Sequence, residues 1–150
     1  LKAGQPASVI KVEILDEGGE SAYEVPIGRK WIVRVTFRVN TPTKGMVSSI
    51  GIVSPSDVAI CTSWQKPMDF TVGTYTTDFK QSDVQFAAGR YRVYVALSLG
   101  GTQNIQFLED VVSFNIISVI KQADEKIVSH DASTGVVLNQ LDMVTSQVGD

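Results

Sequence analysis

The stretch Trp31 to Val39, WIVRVTFRV, alternates with a period of two: Trp31, Val33, Val35, Phe37 and Val39 fall on one side, Ile32, Arg34, Thr36 and Arg38 on the other. Successive side chains of a strand point to opposite faces, so this is the pattern of a half-buried strand, whereas a helix would scatter the same apolar residues around its circumference. The β-branched and aromatic content agrees. The segment FAAGRYRVYVALS repeats the theme: after Gly89, Tyr91, Val93, Val95 and Leu97 turn inward while Arg90, Arg92, Tyr94 and Ala96 turn outward. Further strands are expected at Ser8 to Leu15, Val47 to Val53, Val58 to Ser63, Gly73 to Phe79, Ser82 to Phe86 and Phe107 to Ile117. The intervening DEGGE and SPSD carry turn chemistry: Gly18 and Gly19 can take positive φ without a Cβ clash, and Pro55 and Asp57 suit a tight connection. About eight short strands with no helix before residue 118 predict an all-β fold, an antiparallel β-sandwich with immunoglobulin-like or jelly-roll connections. A closed barrel is the main alternative. The connections are too short for the crossover helices of a parallel sheet.

After Ile117 the pattern changes. KQADEKIVSHDASTG is polar and turn-rich, and in VVLNQLDMVTSQV the residues Val137, Leu138, Leu141 and Val144 are spaced for a short amphipathic helix, with β-branched residues at its start keeping a strand open. The chain thus divides into a sandwich over residues 1–117 and an appendage over 118–150, packing on the sandwich or on a dimer partner.

With 150 residues, 43% of them hydrophobic, one core is expected. A net charge of −3 and no basic run exclude nucleic acid as the main partner, because phosphate neutralisation needs clustered Lys and Arg. No apolar run approaches the ~20 residues of a membrane span. The opening LKAGQPASVI lacks an apolar signal region, so a soluble chain is expected, and its leading leucine suggests an excised or processed piece. Cys61, the only cysteine, cannot form an intramolecular disulfide or a thiolate metal cluster and reads as a partly buried residue of a protein in a reducing compartment.

Catalytic signatures are sparse. The chain has no phosphate-binding G-x-x-x-x-G-K-[ST], no G-x-S-x-G and no H-E-x-x-H, and its one histidine, His130, would have to reach Cys61 or a serine from the polar tail. The carboxylates of Asp16, Glu17, Glu20, Asp57, Asp69, Asp78 and Asp83 fall mostly in turns or strand ends, where Asp bonds its own backbone. No enzyme, metal site or cofactor is expected. What remains is a binding face. Sugars are held by aromatic faces with Arg, Asn, Gln or Asp on their hydroxyls, and the outward Arg92 and Tyr94, with Ser49, Ser113, Asn115 and Trp64, supply these groups. Gly51 would leave room for a sugar, and Arg92 would meet a charged end group through a charge-assisted hydrogen bond. Trp64 reads equally as a rim indole or a core cap, and Trp31 as core. Arg34 and Arg38 are expected to pair with acidic neighbours such as Glu13, and the Tyr91 hydroxyl to bond back to the preceding corner.

The order of motifs adds a resemblance. VIKVEILDEGGE, WIVRVTFRVN, SSIGIVSPSDVAICTSW, GTYTTDF, GRYRVYVAL and VVSFNII, with Gly51-Ile52 and Gly89-x-Tyr91 the most specific pieces, resemble over residues 8–117 the C-terminal carbohydrate-binding domain of the ATPase subunit of O-antigen polysaccharide ABC transporters, the Wzt type. The resemblance implies a β-sandwich that binds the non-reducing end of a finished lipid-linked glycan on the cytoplasmic side of the bacterial inner membrane and couples completion to export. It also implies a homodimer, with strand exchange near the C-terminus, and a transporter membrane subunit reached through an ATPase portion. The alternative from another class is a structural immunoglobulin-like module of a surface, fimbrial or phage-tail assembly.

Overall fold

The computed structural model describes residues 4–81, 84–100, 102–118, 136–138 and 144–148. The strands are β1 Ala7–Asp16, β2 Glu24–Pro26, β3 Trp31–Val39, β4 Thr43–Val53, β5 Ala59–Trp64, β6 Met68–Phe70, β7 Gly73–Lys80, β8 Gln85–Phe86, β9 Gly89–Leu99, β10 Gln103–Ile117 and β11 Val137–Leu138. The strongly alternating segments became the long strands. The three-residue strands β2 and β6 are too short to show a period and were not anticipated.

One sheet has the order β1-β3-β7 and a six-stranded sheet the order β2-β10-β9-β4-β5, with β6 also paired to β4. Pairing is antiparallel except for β2 on β10, which is parallel over three residues. The two sheets bury Val33, Val35, Phe37 and Val39 of β3 in one cluster with Ile50 and Ile52 of β4 and Tyr91, Val93, Val95 and Leu97 of β9. This is a β-sandwich whose core is the inward halves of the two best-alternating strands. Trp31 is buried and tilts against Phe114 and Phe86 at centroid distances of 4.9 and 5.9 Å. The Tyr91 hydroxyl donates to the Ala87 carbonyl at 2.7 Å, tying the entry of β9 to the corner before it.

Turns follow the residues that need them. Gly19 adopts φ +84° in the DEGGE turn, where Asp16 accepts from the Gly19 and Glu20 amides. In SPSD, the Asp57 amide donates to the Ser54 carbonyl at 3.0 Å.

Two expectations are corrected. Glu13 stands opposite Arg34 in register but pairs with Lys11 at 2.7 Å. Arg34 finds its acidic neighbour in Asp78 on the other adjacent strand, to which it donates two hydrogen bonds at 2.7 and 2.9 Å, and Glu13 adds only a charge interaction. Arg38 donates to the Thr74 hydroxyl. The hydrogen bonds from Arg34 hold the Asp78 carboxyl below its ordinary range, against an opposing push from partial burial. In the tail, Val137 and Leu138 form a strand against Phe86 and Gln85, not a helical turn; the β-branched start prevails because the edge of β8 offers it hydrogen bonds, among them Ala87 N–H to Val136 O at 2.7 Å. Leu141 lies outside the described residues, as do Ser82 and Asp83 of the expected Ser82 to Phe86 strand, of which Gln85–Phe86 is seen.

Candidate functional site

The outer face of the six-stranded sheet is laid out in rows by its cross-strand register. In one row Trp64 on β5, Ser49 on β4, Ala96 on β9 and Phe107 on β10 stand side by side. Adjacent strands lie ~4.8 Å apart, which sets the two aromatic residues about 14 Å apart at the backbone. Trp64 is 67% exposed and Phe107 48%, while Ser49 and Ala96 between them are small. The row is a low floor between two aromatic walls.

The next row holds Thr62, Gly51 and Tyr94. The Tyr94 ring lies across Gly51, where a Cβ would come within 1.7 Å of its Cζ. Its hydroxyl is hydrogen-bonded to that of Thr62 at 3.2 Å, and its ring is 5.7 Å from that of Phe107. Gly51 therefore makes room for a tyrosine of this chain, which overturns the expectation that it leaves space for a sugar. Tyr94 forms a bar across the sheet at one end of the floor.

Beyond the bar, Arg92 stands between Val53 and Ser113 in register. It donates to Asp110 at 2.9 Å and also pairs with Asp57. Asp110 reaches it from an irregularity in β10 between Leu108 and Val112. Unbroken alternation would point Asp110 toward the core with Leu108 and Val112; the extra residues re-aim its carboxylate outward. Arg92 is thus held by two carboxylates of its own chain, so a charged end group would have to compete with them for the guanidinium. Tyr94, Phe107, Arg92, Asp57, Glu109 and Asp110, with Val53 and Ala59, line a depression of about 270 Å³.

All six residues expected from the sequence share this face, but not one place on it. Tyr94 and Arg92 line the depression, and Trp64 and Ser49 flank it. The Ser113 hydroxyl accepts from Arg90 at 3.0 Å. Asn115, opposite Arg90, is six residues along β9 from the Trp64 row, about 20 Å away. Sequence reasoning missed Phe107, although it shares the parity of Ser113 and Asn115, and it took Asp57 for a turn residue alone. Among the described residues no group of three or more His, Cys, Asp or Glu side chains could hold a metal ion. His130 lies outside them, and Cys61 is half-buried against the core.

Comparison with known proteins bears on what this face belongs to. The family model described as "Wzt C-terminal domain" matches residues 4–137. The chain belongs to the Wzt C-terminal domain family. It is a Wzt-type carbohydrate-binding domain of the O-antigen ABC transporter class, which favours the transporter expectation over the structural-module alternative. A solved Wzt C-terminal domain superposes with a TM-score of 0.73 over 94% of this chain and 84% of that one, at 11% identity, so the fold is shared while most residues differ. An alkylpurine DNA glycosylase of Pseudomonas fluorescens bound to abasic-site DNA reaches a TM-score of 0.47 at 12% identity, over 75% of this chain and 31% of that one. A CARDB domain of Pyrococcus furiosus in complex with di-metal ions reaches 0.45 at 12% identity, over 80% and 100%. Neither likeness carries an argument. No curated protein sequence matches the chain. Among the described residues no helix is long and apolar enough to cross a membrane.

Proposed function

We propose that this Wzt-type domain binds the non-reducing terminus of a completed, lipid-linked O-antigen polysaccharide on the outer face of its six-stranded sheet, without catalysis, and that this binding couples chain completion to export. The observation that carries the reading is the aromatic row: Trp64 and Phe107 stand on either side of Ser49 and Ala96, with Tyr94 lying across one end. Exposed aromatic side chains cost solvation and contribute little to the fold, so the exposed Trp64 and Phe107, gathered on one face beside the half-buried Tyr94, mark a contact surface. Sugar rings present C–H faces to such side chains and hydroxyls to the flanking carboxylates. A floor open at both ends would take any stretch of a repeating polymer. A bar at one end stops a continuous polymer and leaves only an end group to reach past Tyr94 into the depression beside it, which favours a chain terminus.

In this reading the domain acts as a homodimer, with the C-terminal region available for strand exchange. It works on the cytoplasmic side of the bacterial inner membrane, as the peripheral part of a transporter whose ATPase portion contacts the membrane subunit. The test is calorimetric titration of the chain with its own organism's O-polysaccharide, comparing the parent with Trp64→Ala and Phe107→Ala. Stacking contacts contribute on the order of 1 kcal/mol each, so each variant should bind about five- to tenfold more weakly with an unchanged thermal midpoint. Equal affinity in all three proteins would remove the aromatic row from the site.

A further inference from the structure

Arg92 sits in an acidic setting. Asp57 and Asp110 both present Oδ1 to its two terminal nitrogens, leaving the second oxygen of each carboxylate to accept from a ligand. With Glu109 beside them, the depression is lined by three carboxylates and one guanidinium, a formal charge of −2. The backbone shows the same convergence independently. Asp57 at φ +68° and Asp110 at φ +48° are the non-glycine residues with positive φ among those described. One comes from the SPSD turn and the other from the irregularity within β10, yet both reach the same guanidinium.

We infer that the depression takes an uncharged sugar end, its hydroxyls donating to Asp57 and Asp110, and discriminates against a terminal phosphate or uronate. This rests on the glycan-binding reading and narrows it. An anionic cap would face the outer carboxylates and would have to displace one of them from Arg92 to gain a charge-assisted hydrogen bond. A neutral hydroxyl needs neither. Vicinal hydroxyls match carboxylate oxygens as donors to acceptors, while Tyr94 and Phe107 offer their apolar surface to the ring.

The experiment titrates the parent chain with matched terminal oligosaccharides ending in an unmodified or methylated sugar, in a phosphate, or in a uronic acid, each at low and high salt. The neutral members should bind at least about tenfold more tightly than the acidic ones, with little dependence on salt. The double variant Asp57→Asn/Asp110→Asn keeps residues that tolerate positive φ and frees Arg92. It should lose affinity for the neutral members and gain about tenfold for the acidic ones. If the parent binds the phosphate- or uronate-ended members as tightly as the neutral ones, the inference is overturned and the glycan reading stands. If the folded parent binds none of the panel, both fall. Should the double variant fail to fold, the parent's ranking and salt dependence decide alone.

Discussion

Trp64, Tyr94 and Tyr91 are three aromatic residues of one sheet with different work to do. Tyr91 is fully buried and its hydroxyl reaches the Ala87 carbonyl. Tyr91→Phe leaves that buried carbonyl without this donor and should cost about 1–2 kcal/mol in denaturant unfolding, with glycan affinity unchanged. Tyr94 is held over Gly51 by Thr62, and a Cβ at residue 51 meets the movable end of the tyrosine ring, not backbone. Gly51→Ala should therefore swing Tyr94 off the sheet and weaken glycan binding by several-fold, at a modest loss of thermal stability; unchanged affinity would mean that the bar plays no part. Alternation along GRYRVYVAL was enough to separate inward Tyr91 from outward Tyr94. The fit of Tyr94 to Gly51 was not readable, because it depends on which residue of β4 stands opposite, and register between strands distant in sequence is set by the whole sheet.

At the scale of elements, strands β3 and β9 were legible because β-branched and aromatic residues repeat every second position with few exceptions. β10 was legible only in part: the expected Phe107 to Ile117 leaves out its first four residues, since the strand runs Gln103–Ile117, and its detail was not legible. Its sequence FLEDVVS breaks the alternation with Asp110 at an inward parity and adjacent valines after it, and that break is the local sign of the irregularity that turns Asp110 outward. The pairing of Arg34 likewise needed the strand order, since β3 has both β1 and β7 as neighbours, which set Glu13 and Asp78 opposite Arg34 on either side, and the sequence reading named only Glu13. The chosen pair makes a pH-dependent contribution. The Asp78 carboxyl is held below its ordinary value of 3.8 in the folded chain, so the unfolded chain binds the proton more readily. The stabilisation is then present in full above the unfolded value and is lost as pH falls through the lower folded one. Asp78→Asn should lower the thermal midpoint near neutral pH, and the gap to the parent should close on acidification below about pH 4. A gap that persisted in acid would assign the effect to packing.

For the whole molecule, two sheets enclose one core and leave the outer face of the larger sheet to carry exposed aromatics and a clasped arginine. The sandwich and its family could be reached from the sequence, since strand periodicity and motif order survive even where identity to a solved relative is 11%. The site could be reached only as a face. Its composition depends on Phe107 and Asp110 of β10 and Asp57 of the SPSD turn, two separate stretches that meet only once register and turns are fixed. A surface assembled from such parts can change its ligand while the core stays the same, and its specificity is accordingly local to this chain. The central claim is recognition of a chain end by this face. It is tested most directly by titrating the chain with complete O-polysaccharide from its own organism and with the same polymer trimmed at the non-reducing end. The complete polymer should bind and the trimmed one should lose at least about tenfold in affinity, a difference of 1.4 kcal/mol; equal binding to both, or binding to neither, would contradict it.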